Sequence, residues 1–150
     1  MDINKLSTSE KIIAVSGIVL FISSFLPWFS VEAGGISYGD GNGWDVGFLW
    51  GGIPTLLGLV MVAHVVLSNF AENVNLPDLP WARVHMIAGI VAAALVVLKL
   101  LIGEDADGAE ALGVDITRSY GLFLATIAAL GLAAGGFLYN REKTGTATTM

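Results

Sequence analysis

Apolar residues run along the chain in four long blocks, separated by segments rich in glycine and acids. The blocks extend from about Ile12 to Phe29, Val46 to Leu67, Val84 to Ile102 and Tyr120 to Tyr139. Each is apolar all round rather than along one stripe, the pattern of a helix surrounded by lipid. A hydrocarbon core about 30 Å thick needs about 20 residues of helix, and each block approaches that length. With their flanks, the predicted helices cover about 8–29, 46–69, 82–103 and 119–140, followed by a polar tail over 141–150. Short connections make consecutive helices antiparallel neighbours. The pattern therefore predicts an all-α membrane fold. It is a four-transmembrane-helix bundle running up, down, up, down, in a single integral membrane domain over 1–150.

Between the blocks the period changes. Phe29-Ser30-Val31-Glu32-Ala33 alternates, Gly34-Gly35 offers a tight turn, and Ile36-Ser37-Tyr38 returns. This predicts a small extracytoplasmic β-hairpin in the first outer loop. Asp40-Gly41-Asn42-Gly43 reads as a second turn. Gly113-Val114-Asp115-Ile116-Thr117 reads as a further strand in the second outer loop. An isolated hairpin is marginal in water, so the first loop should lean on the second or on a partner. Ser7-Thr8-Ser9-Glu10 has capping-box spacing, with Ser7 starting the first helix. Pro54, close to Gly51-Gly52 and Gly58, predicts a kink in the second. The first block could alternatively be a signal peptide flanked by Lys5 and Lys11; its length and its Pro27-Trp28-Phe29 end favour a retained helix. Gly47-Phe48-Leu49-Trp50 and Gly121-Leu122-Phe123-Leu124 open the second and fourth blocks alike, as in two parallel repeats of helix, loop, helix.

Composition sharpens the class. Of 150 residues, 55% are apolar and 13% charged, and mean hydropathy is +0.75. A soluble domain carries roughly 25% charged residues, so this chain cannot coat a water-facing surface. The net charge of −6 argues against a nucleic-acid partner, which needs a basic face. The absence of cysteine excludes disulfides, thiolate catalysis and iron–sulfur ligation.

The bases set the orientation. Lys5, Lys11, Arg83, Arg141 and Lys143 lie on one side, against Lys99 and Arg118 on the other. Both termini are therefore expected in the cytoplasm of a multi-pass inner-membrane protein. The outer loops are then acidic: Glu32, Asp40 and Asp45 in the first, Glu104, Asp105, Asp107, Glu110 and Asp115 in the second. The tryptophans Trp28, Trp44, Trp50 and Trp81 stand at block ends, as interface anchors do.

Small residues mark predicted helix contacts. They are Gly89 and Ala93 in the third block, and Gly121, Ala125, Ala129 and Ala133 with Gly131 and Gly135 in the fourth. Ionisable residues inside a membrane are functional candidates, which here means His64, His85 and Lys99. The histidines can approach one another across the inner loop and sense pH. Their plainer reading is contact with headgroups or water. Lys99 is expected to snorkel outward toward Glu104 or Asp105. Two histidines do not make a metal site by themselves. Asp105-Ala106-Asp107-Gly108 lacks the EF-hand spacing. The glycine-rich stretches match neither phosphate-loop nor dinucleotide patterns. No cofactor, metal or catalytic constellation is expected.

Phe25-Leu26-Pro27-Trp28-Phe29-Ser30, Gly43-Trp44-Asp45-Val46-Gly47-Phe48 and Arg118-Ser119-Tyr120-Gly121-Leu122-Phe123 together resemble a group of small four-span proteins common in actinobacteria. The resemblance covers nearly the whole chain, implies a bacterial inner-membrane location and brings no activity with it. The architecture is also similar, more loosely, to claudin-type tetraspans, through Trp28 and Gly47-Phe48-Leu49-Trp50. The two loop cysteines of that group are missing here. The expected function is that of a non-enzymatic assembly, accessory or structural subunit. It would contact the lipid bilayer and either copies of itself or other membrane proteins through helix faces and outer loops. The alternative is a small oligomeric channel or transporter, with Ser16, Ser23, Ser24, Thr55, His64, Ser68 and Thr126 as lining candidates.

Overall fold

The computed structural model describes residues 6–70, 79–103 and 113–148. The fold is mostly helical, with helices α1 (Thr8–Ser23), α2 (Ile53–Phe70), α3 (Trp81–Ile102) and α4 (Tyr120–Thr148). A small antiparallel sheet is formed by β1 (Pro27–Ala33), β2 (Ile36–Asn42) and β3 (Val114–Arg118), in the order β2-β1-β3. Three segments are long and apolar enough to cross a membrane: Phe48–Phe70, Trp81–Ile102 and Tyr120–Lys143. At 16 residues, α1 is shorter than these.

The capping box forms as the spacing predicts. The Glu10 amide donates to Ser7 Oγ at 3.3 Å, and the Ser7 amide donates to Glu10 Oε1 at 3.0 Å. The predicted helix over 8–29 ends early, at Ser23. Pro27 cannot extend a helix and holds the residue before it extended. Trp28 then turns inward and donates its indole N–H to the Ser23 carbonyl at 2.9 Å. Gly43 donates its amide to the Ser24 carbonyl at 2.9 Å. These donors satisfy carbonyls that the end of a helix leaves orphaned.

The hairpin turns at Gly34 and Gly35, whose φ values of 61° and 82° suit the tight turn of a twisted ribbon. β3 adds to the other side of β1, with Val31 opposite Ile116 and Phe29 opposite Arg118. The hairpin thus leans on the second loop. Pro54 lies inside the continuous helical span Phe48–Phe70, beside Gly51-Gly52 as expected. A π-helical turn over Phe48–Gly52 precedes α2, and Pro54 occupies the first turn of α2. Its missing N–H leaves a carbonyl of the preceding turn without its helical donor, at the place where the wider π turn passes into α2. The expected polar tail over 141–150 is also revised, because α4 runs on to Thr148. Arg141, Glu142 and Lys143 are good helix formers, and Glu142 is tied to α1 through Ser9 Oγ at 2.8 Å.

In the packed chain α4 lies against both α3 and α1, while α2 lies against α1 and α3 and scarcely touches α4. The sheet sits at one end of the helices. The start of α1, the end of α2, the start of α3 and residues 139–143 of α4 meet at the other.

Candidate functional site

At the end opposite the sheet, the two predicted histidines meet. His64 Nδ1 and His85 Nε2 are 2.8 Å apart, a hydrogen bond in which one neutral imidazole donates and the other accepts. Both rings are buried. Trp81 stacks on His64 with centroids 4.0 Å apart and planes 17° from parallel, and Tyr139 lies 4.5 Å from His85. The expectation that the histidines touch headgroups or water is therefore corrected: they are buried, and one ring nitrogen of each is satisfied by the other inside the protein. Sequence places them there physically. His64 continues the buried stripe of Gly58 and Met61 on α2, and His85 that of Ala88, Gly89 and Ala92 on α3. α4 comes close because Gly136 has no side chain; a methyl group there would collide with the His85 carbonyl. Among the described residues His85 Nδ1 has no hydrogen-bond partner.

Beside this pair Glu10 binds Asn69, whose Nδ2 donates to Oε2 at 2.6 Å and to the Val65 carbonyl at 2.8 Å. Glu10 precedes the apolar run that begins at Ile12. Burial pushes its carboxyl up. The hydrogen bonds from the Ser7 amide, Asn69 and the Ser7 hydroxyl, with the nearby Lys143 charge, outweigh burial and hold it below its usual range. Among the described residues no three histidines or acids gather as metal ligands do. The acidic stretch around Asp105 and Asp107 lies outside the described residues.

Lys99 is 14 residues along α3 from His85, about 21 Å at 1.5 Å per residue. Its side chain carries the ammonium toward the sheet end of α3. It is only 6% exposed, with Nζ 5.7 Å from the Phe29 ring centroid and 5.6 Å from that of Trp50. Two aromatic faces attract a desolvated ammonium, and β1 and the π-helical turn deliver those rings above the helix. Its expected partners, Glu104 and Asp105, lie outside the described residues. Arg118 turns from the sheet onto the end of α3, donating to the Leu100 carbonyl and, at 3.1 Å, to that of Leu101.

The tryptophans divide. Trp28 is fully buried, so its role as an interface anchor is corrected: its ring packs inside the chain and closes α1. Trp44 donates to Ser24 Oγ at 3.1 Å, Trp50 is half-buried under Lys99, and Trp81 covers His64.

The small residues are used within the chain. A methyl at Gly89 would strike the Leu132 carbonyl on α4, one at Gly135 would come 2.8 Å from Ile13 on α1, and one at Gly131 would meet Ser16. Gly121 faces the Pro27 carbonyl of β1. Ala93, Ala125 and Ala129 are buried and Ala133 partly so. The buried hydroxyls proposed as pore lining turn back on their own helices. Ser23 donates to Leu20, Ser24 to Phe21, Thr55 to Gly51 and Thr126 to Leu122.

The sheet turns one polar face outward. Ser30 pairs with Asp40 and Thr117, and Glu32 with Ser37 and Asp115, so Glu32, Asp40 and Asp115 share that face. All three acids are exposed. Like charges directly across strands cost stability, which makes Glu32 opposite Asp115 a feature that folding does not ask for. Sequence reading found both strands but not this juxtaposition, since strand register carries no local signal. Nor does the sequence show the contacts of Tyr139, Asn69 or Arg118, whose partners include residues on distant elements. Comparison with known family models, curated proteins and solved structures gives no match.

Proposed function

We propose that the chain is a non-enzymatic assembly or accessory subunit of a bacterial inner membrane, akin to the small four-span proteins it resembles. It docks a basic segment of a partner protein on its sheet. The observation that carries this reading is the exposed face with Glu32, Asp40 and Asp115, set on a sheet of order β2-β1-β3 whose outer strands have no further partner among the described residues. Three acids on a rigid platform attract a cationic segment and steer its approach. The helix faces are less available, since their glycines are spent on contacts within the chain.

The reading includes four crossings, with α1 as the first. α1 turns Val15, Ile18 and Ile22 outward, and Phe25 follows them. Such a face suits hydrocarbon and not water. In this frame both termini are cytoplasmic and the sheet lies outside the cell. Purification in mild detergent at low salt, followed by mass measurement, tests the docking. A co-purifying chain should be lost when Glu32→Gln, Asp40→Asn and Asp115→Asn are combined, or when salt screens the face. A closed homo-oligomer that conducts ions, unaffected by these changes, would replace this reading with that of a channel.

A further inference from the structure

Two apolar grooves flank α2, the least enclosed helix. Between α2 and α3 lies a cavity of 370 Å³ lined by Leu57, Val84, Ile87 and Val91, with Pro80 and Arg83 at its mouth. Between α1 and α2 lies a second, of 240 Å³, lined by Val15, Ile18, Val62 and Val66, with Lys11 as its one charged residue. The grooves share a construction: an apolar trough with a single cation at the end away from the sheet. Residues 80, 83, 84, 87, 88 and 91 recur at helical spacing, so the first groove follows the axis of α3. Its eleven steps from Pro80 to Val91 rise about 16 Å, close to half of the roughly 30 Å hydrocarbon core.

A trough open to hydrocarbon holds no water, because nothing in it can accept or donate a hydrogen bond. An acyl chain fills it at no polar cost. The mouth then selects the headgroup. At this end Glu10 is engaged by Ser7 and Asn69, and Glu142 accepts from Ser9. Among the described residues those acids are engaged away from Arg83, whose guanidinium is exposed at the first turn of α3 and, in the proposed placement, faces the headgroup layer. Its fork matches phosphate geometry.

We propose that these grooves bind anionic phospholipid, one acyl chain lying along α3 with the phosphate at Arg83, and likewise along α1 with the phosphate at Lys11. The inference rests on the membrane placement proposed above. Native mass spectrometry of the detergent-released protein, titrated with phosphatidylglycerol or phosphatidylcholine, tests it. Phosphatidylglycerol should bind the wild type about fivefold more tightly per groove, the worth of one cation near an anionic headgroup. Arg83→Gln should lose that preference at one site while still binding phosphatidylcholine, and Arg83→Lys should keep most of it. Val91→Trp should fill the groove and exclude both lipids. Glycerol phosphate alone should not bind, which separates a lipid from a free phosphate. Equal binding of the two lipids by wild type, or an unchanged preference in Arg83→Gln combined with Lys11→Gln, overturns the proposal. A protein soluble without detergent overturns the membrane placement and this inference together.

Discussion

His64 Nδ1 and His85 Nε2 satisfy each other, so the cost of changing one histidine depends on whether the other remains. Removing His64 alone strands a buried ring nitrogen, which costs about 1–3 kcal/mol. Removing both strands neither. His64→Leu and His85→Leu should each lower stability by that amount, and the double substitution should cost less than their sum. Denaturation of the four proteins in detergent, arranged as a double-mutant cycle, measures the difference; strict additivity would show that the 2.8 Å contact carries no coupling. That the two histidines approach was legible, because both stand near the ends of apolar blocks joined by a short loop. The aromatic surroundings of Lys99 were not legible. Its position near a block end suggests a snorkelling cation, while the rings that enclose it belong to Phe29 and Trp50, 70 and 49 residues earlier in the chain.

Helices announced themselves through hydropathy, and their ends announced themselves only where local chemistry acts. Ser7 and Glu10 mark the start of α1 because a capping box is a contact between near neighbours. The end of α1 is hidden, since Leu26 to Phe29 is as apolar as the helix before it, yet Pro27 and the inward turn of Trp28 make it a strand. The paired strands were legible for the opposite reason: Gly34-Gly35 and the alternation around Val114 are local signals. The glycines and alanines of α4 were recognisable as contact residues, but whether they meet their own chain is a matter of three dimensions. Ala129 is fully buried where α4 packs within the chain. Ala129→Leu should therefore overpack this contact by about 1–3 kcal/mol and lower the melting temperature in detergent. Its elution on size exclusion should stay that of wild type. An unchanged melting temperature would place the residue in looser surroundings than its burial indicates.

For the molecule as a whole, the proposed orientation follows from charge and can be read directly, because the chain contains no cysteine to confuse a label. Asp40→Cys should react with an impermeant thiol reagent in intact cells, and Thr144→Cys only after lysis. The reverse pattern would place the sheet in the cytoplasm and remove the partner side argued for it.

Translation makes the sheet in instalments. β1 and β2 are complete by residue 42, but the strand that fills the other edge of β1 spans residues 114–118. α2 and α3 are synthesised in between. Until then β1 is an unpaired border and the charge opposite Glu32 is missing. A partner that reads Glu32 and Asp115 together therefore has nothing whole to grip on a nascent chain. Under the proposed docking, recognition would wait for β3 and the helix that follows it, and a truncated or stalled product would go unclaimed.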